Sequence, residues 1–126
     1  VEQHTGTTPM NIRKDTALAL SEIVLTVNKV ANENQPNALG SVGHIEVSPN
    51  SRNVIAGQTT FTIDIRSPDI KKLNDMEEEI KSCAEKICKK YEVNLQMEQI
   101  GGFDPVAFDK LCLDNIREVL IIIVVL

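Results

Sequence analysis

Tryptophan is absent from these 126 residues, tyrosine occurs once and phenylalanine three times. The formal net charge is −5 and the pI is near 5.0. With no basic stripe interleaved with aromatics, these values argue against broad binding to nucleic acid or to an anionic membrane surface. Histidine occurs only as His4 and His44. No HExxH or CxxC motif and no cluster of Asp, Glu and His is present, so the sequence offers no set of ligands for a catalytic metal. A Ser or Cys nucleophile elbow and a phosphate-cradling glycine loop are missing as well.

The cysteines, Cys83, Cys88 and Cys112, are odd in number. Cys83 and Cys88 lie five apart on a helical pattern and so point in different directions. Three reduced, mostly buried thiols are expected, in a cytoplasmic protein. The one long apolar run, residues 119–126, has eight residues, well short of the about 20 that a helical membrane span needs. It is expected to end the chain as a strand or helix turn buried in the fold or between subunits, because left exposed it would promote aggregation. No signal peptide is visible and the chain opens on Val1, which reads as a piece excised from something longer.

The length suits one domain with a sizeable core. Residues 1–5 read as the tail of a strand whose start lies upstream. A first helix is expected from residues 11–15 to 31, because Leu20, Ile23, Val24, Val27, Val30 and Ala31 recur at helical spacing. Thr8 and Pro9, or Asn11, supply its start signal. Residues 42–48 alternate, with Ile45 and Val47 on one face and His44 and Glu46 on the other, and residues 50–53 break that strand. Residues 58–66 alternate most clearly, Phe61, Ile63 and Ile65 against Thr60, Thr62, Asp64 and Arg66.

Ser67, Pro68 and Asp69 open a second helix, with the serine as cap and proline at the first helical position. Its apolar stripe is Leu73, Met76, Ile80, Cys83, Ala84, Ile87 and Tyr91, and Glu77–Glu79 is a solvated face. Val93, Leu95 and Met97 predict a further strand, ended by Gly101 and Gly102, and residues 107–119 a weaker third helix. The order (β)-α-β-β-α-β-(α) predicts an α+β ferredoxin-like sandwich, a four-stranded antiparallel sheet with two helices on one face.

Three side chains stand beside breakers or strand ends and together suggest a grip on a small polar anion. His4 sits among Thr5, Gly6, Thr7 and Thr8. It reads as an exposed imidazole or as a placed donor to an oxyanion. Asn53 either stabilises its turn or offers its amide to the same ligand. Arg66 either covers the sheet and pairs with Asp64 or Glu46, or clamps a carboxylate with its planar fork. His44 reads as a solvent-face residue.

His4-Thr5-Gly6-Thr7-Thr8-Pro9-Met10 with Arg13 and Asp15 forms a linked set with two later stretches. These are Gly43-x-Ile45-x-Val47-x-Pro49-Asn50-x-x-Asn53-Val54-Ile55-x-Gly57 and Asp64-Ile65-Arg66-Ser67. In order and spacing this set resembles the M20 family of metallopeptidases over roughly residues 3–118. The branch it resembles is that of the N-carbamoyl-L-amino-acid hydrolases, allantoate amidohydrolases and β-ureidopropionases.

The resemblance implies a lid or dimerisation domain, residues 1–118, with residues 119–126 as an apolar tail. It implies a parent enzyme with two divalent metal ions, zinc or manganese, in a separate catalytic domain, where a metal-bridging water attacks a carbamoyl or ureido carbonyl. It also implies a homodimer through helices and an edge strand. His4 would then reach a partner's active site as the oxyanion donor, while Asn53 and Arg66 would hold the carboxylate of a small substrate. Ala56 departs from the proline usual in the family, Pro105 to Asp109 resembles the return toward the catalytic domain, and the aliphatic end replaces the family's metal-binding histidine segment. The alternative is a free-standing ferredoxin-like module that binds a small ligand or regulates a partner.

Overall fold

The structure, a computed structural model, describes residues 2–124, and side-chain surroundings for residues 2–117. The elements in chain order are β1 (Gln3–His4), a 3-10 turn (Met10–Ile12), α1 (Thr16–Glu33), β2 (Leu39–Ser48), β3 (Val54–Ile55), β4 (Gln58–Arg66), α2 (Ile70–Lys90) and α3 (Lys110–Val124).

Both long helices start on an aspartate. The Asp15 carboxylate accepts from the backbone N–H groups of Ala17 and Leu18, and that of Asp69 from Lys71 and Lys72. An ionised acceptor there satisfies N–H groups that have no partner inside the helix. The first helix therefore starts within the expected residues 11–15, capped by Asp15 rather than by Thr8, Pro9 or Asn11, and the second is capped by Asp69 rather than by Ser67. Residues 10–12 form only a 3-10 turn, and the Ser67 hydroxyl instead accepts from Asp69 N–H. Helix α2 closes with Glu92 in the left-handed region, φ 52°. There Val93 N–H bonds to Cys88 C=O at 2.9 Å and Glu92 N–H to Lys89 C=O at 3.2 Å, the paired bonds of a Schellman stop.

Strands β2 and β4 form an antiparallel ladder from Leu39↔Arg66 to Ser48↔Gln58. An irregularity between Val42 and His44 inserts Gly43 and resets the alternation. Ile45 and Val47 thus follow Gly40 and Val42 on the face toward the helices. That face and the inner stripes of both helices make the core: Ile23, Val27, Val30 and Ala31 of α1, Met76, Ile80, Ala84 and Cys88 of α2, with Val42, Phe61, Ile63 and Ile65 packed against them. Each large side chain so buried contributes about 1.5–3 kcal/mol. The far face of the sheet carries His44, Glu46, Asp64 and Arg66, all exposed.

Among the described residues the sheet differs from expectation. The fold is α+β, with two two-stranded antiparallel sheets, β1–β3 and β2–β4, in place of one four-stranded sheet. Val93 and Leu95 pack against the core as their alternation requires, yet residues 93–97 form no strand. Alternation buries one face of a segment, but a strand also needs ladder hydrogen bonds to a neighbour, and residues 93–97 are in neither sheet. β4 has β2 on one edge and no strand on the other.

Helix α3 begins three residues later than expected and its backbone runs to Val124. The surroundings of residues 118–126 lie outside the described residues, and so does the expected burial of the tail. Cys83, Cys88 and Cys112 are free thiols, but only Cys88 is buried; Cys83 is half-buried and Cys112 exposed. Among the described residues no helix is long and apolar enough to cross a membrane.

Candidate functional site

Strand β1 brings His4 to Asn53. The ladder pairs His4 with Val54, Thr5 N–H bonds to Asn53 C=O at 2.9 Å, and the two side chains meet with His4 Nε2 3.3 Å from Asn53 Nδ2. Both are exposed. Helix α1 steadies this corner, since the Thr16 N–H and hydroxyl both donate to Ala56 C=O, at 3.2 and 3.1 Å.

Two local bonds set what this pair can do. Gly6 N–H, always a donor, points at His4 Nδ1 at 3.0 Å. The neutral ring therefore carries its hydrogen on Nε2. The Ser51 hydroxyl donates to Asn53 Oδ1 at 3.0 Å, which turns the amide Nδ2 toward the imidazole. Two N–H donors then approach to 3.3 Å with no acceptor between them, and an oxygen accepting from both would have to sit to one side of the pair. Turning the Asn53 amide over would place Oδ1 against Nε2–H and satisfy the pair in the free chain.

The loop around His4 is tied down. Thr7 N–H and the Thr8 hydroxyl both donate to His4 C=O, at 3.3 and 2.9 Å. Arg13 donates through Nη2 to Thr5 C=O at 2.7 Å and through Nε to Thr8 C=O at 3.0 Å.

Arg66 stands elsewhere. It ends β4 beside Leu39, whereas the His4–Asn53 pair lies past Gln58 at the opposite end. The eight residue steps between Gln58 and Arg66 span roughly 26 Å. The guanidinium grips Asp64, with Nη2 at 2.7 Å from Oδ2 and Nε at 3.1 Å from Oδ1. The Asp64 carboxyl is held below its usual range by the Arg66 hydrogen bonds, and the same bonds raise the guanidinium. One chain thus unites two of the three predicted residues and keeps the third apart. His44 pairs with Glu46 on the open sheet face, Nε2 to Oε1 3.4 Å.

Sequence reasoning singled out Arg13 without giving it a task and passed over Ser51 as a partner of Asn53. The Ser51 contact is a local one, two residues along the turn, whereas the Arg13 contacts depend on how the loop folds back. Among the described residues no group of three or more His, Cys, Asp or Glu side chains is placed to hold a metal ion.

Residues 40–92 match the family of the peptidase dimerisation domain, M20 type. An N-carbamoyl-L-amino-acid amidohydrolase of Rhizobium meliloti is 48% identical over 116 residues, 92% of this chain and 28% of that protein. An allantoate amidohydrolase of Escherichia coli is 35% identical over 108 residues, 85% of this chain and 26% of that protein. Among solved structures, an amidase of the hydantoinase/carbamoylase family from Burkholderia multivorans superposes with a TM-score of 0.89 at 38% identity, over 94% of this chain and 29% of its own. The chain thus spans under a third of the length of the relatives it matches. It belongs to the M20 peptidase family as a dimerisation domain, in the branch of the N-carbamoyl-L-amino-acid and allantoate amidohydrolases.

Proposed function

We propose that this chain is the dimerising, substrate-gripping part of a longer cytoplasmic amidohydrolase that cleaves C–N bonds of N-carbamoyl or ureido acids, inactive by itself. The observation that carries the reading is the His4–Asn53 pair, two donors from positions far apart in sequence, held face to face on a pinned loop. His4 Nε2–H serves as a neutral donor to the oxyanion that develops at the attacked carbonyl. Asn53 and Arg66 hold the substrate carboxylate, Arg66 by exchanging Asp64 for the ligand. The parent enzyme's two divalent metal ions, zinc or manganese, are held by its other domain.

The separation along β4 supports a site assembled from two copies, one giving His4 and Asn53 and the other Arg66. The open edge of β2 with exposed Leu39 and Ile45, and the outward Leu25 of α1, offer surfaces for the two-fold contact. Phe103, Val106, Phe108, Leu111 and Ile116 are also exposed. Such a row fits the return toward a catalytic domain and weighs against a free-standing module.

The test uses the longer protein. Arg66→Ala is expected mainly to raise KM, and His4→Ala mainly to lower kcat. Mixing the two impaired variants, at a substrate level where neither alone turns over, and allowing subunits to exchange should restore about a quarter of native activity, because half the dimers are mixed and one of their two sites is intact. No recovery on mixing refutes the two-copy site, and the reverse KM and kcat pattern refutes the assigned roles.

A further inference from the structure

We propose that Arg13 is a positioning residue for His4, acting through the turn of residues 5–8 rather than on any ligand; the proposal rests on the reading of His4 as an Nε2–H donor. The two bonds Arg13 makes go to neutral backbone carbonyls, Thr5 C=O at 2.7 Å and Thr8 C=O at 3.0 Å, at either end of that turn. Only a rigid, planar fork spans two such acceptors at once, and a charged donor makes each bond stronger than a neutral one. The side chain is half-buried against the loop that it ties.

What the clasp holds in place is the Gly6 amide. Gly6 lies between the two clasped carbonyls, and its N–H reaches His4 Nδ1 at 3.0 Å. That bond selects the ring form with hydrogen on Nε2, the nitrogen that faces Asn53. The fit is close: a Cβ added at Gly6 would sit 3.2 Å from His4 Cε1 and 3.3 Å from Nδ1. The bond itself is made at 3.0 Å, so a drift of the turn by about 0.5 Å takes it out of hydrogen-bonding range. The Thr7 and Thr8 bonds to His4 C=O fasten the backbone of His4 but leave the choice of ring form to Gly6. Arg13 thus acts at one remove, from guanidinium to turn, from turn to amide, and from amide to imidazole.

The experiment is a long-range proton–nitrogen NMR correlation on the 126-residue chain, at a pH where the imidazole is neutral. The His4 signals are told from those of His44 with a His44→Gln variant. In the native chain His4 Nδ1 is expected as the bare nitrogen and Nε2 as the protonated one. Arg13→Gln should collapse most of the shift difference between the two nitrogens as the ring forms interconvert, with the amide spectrum of the core unchanged. Arg13→Lys keeps the charge without the fork and should fall between native and Gln. This conservative variant carries the test alone should Arg13→Gln fail to fold. A native His4 pattern in either folded variant overturns the role of Arg13 and leaves the site reading standing. A native chain whose His4 already bears its hydrogen on Nδ1 overturns the site reading itself, and the proposal with it.

Discussion

Gly40 and Gly43 lie three residues apart on the same strand and should respond in opposite ways to one added methyl group. A Cβ at Gly40 would come within 3.1 Å of Ala31 Cβ, 3.4 Å of Val27 Cγ1 and 3.5 Å of Ile65 Cγ2, whereas a Cβ at Gly43 meets nothing within 4 Å. Val27 and Ala31 are buried on the inner face of α1, so the helix must move to admit the methyl. Neither glycine has a positive φ, so backbone strain does not enter.

Both alanines reduce the freedom of the unfolded chain and stabilise by about 0.4–1 kcal/mol. That gain is common to the two and cancels when they are compared. Overpacking at Gly40 costs about 1–3 kcal/mol. Gly40→Ala should therefore melt below Gly43→Ala by roughly 4–12 °C, at roughly 4 °C per kcal/mol for a domain of this size. Thermal melts followed by far-ultraviolet circular dichroism on matched samples decide it. Midpoints within about 2 °C of each other would show that α1 is not seated on β2 at Gly40. The seat matters for the site, because the first residue of α1, Thr16, holds the strand next to Asn53 through Ala56.

Met76, 1% exposed between the two helices and the sheet, should cost about 2–5 kcal/mol when cut to alanine. Urea unfolding would read this as a lower midpoint at constant slope, and a loss under 1 kcal/mol would contradict the placement of the core. Glu22 accepts from the Lys90 ammonium and the Tyr91 hydroxyl, in that order of effect, which hold its carboxyl below its ordinary 4.5. A carboxylate lowered in the folded state stabilises above its unfolded pKa and loses that contribution as pH falls through the folded value. Glu22→Gln should therefore melt below the native chain near neutrality, and the gap should narrow below about pH 4.5. A gap constant with pH would show that the Glu22 charge plays no part.

The amphipathic stripes were legible in the sequence. Ile23, Val27, Val30 and Ala31, and Met76, Ile80 and Ala84, all lie in the core as their spacing predicts. So was the phase of β4 and of β2 from His44 to Ser48, whereas the shift at Gly43, which puts Val42 on the same face as Ile45, was not. Helix starts were less so. Thr8, Asn11 and Asp15, or Ser67 and Asp69, are all capable caps, and the direction from which the chain enters selects among them. Residues 93–97 carry the alternation of a strand, but pairing depends on an edge that the segment does not itself contain. The family motif marked His4, Asn53 and Arg66 together.

Only the tertiary structure decided that His4 meets Asn53 while Arg66 stands a strand's length away, and that Arg13 clasps the loop between them in sequence. Periodicity acts over a turn or two, because it reflects which face of one element leaves water. Contact between residues 49 positions apart depends on strand register and on where loops close, which the packing of the whole chain determines.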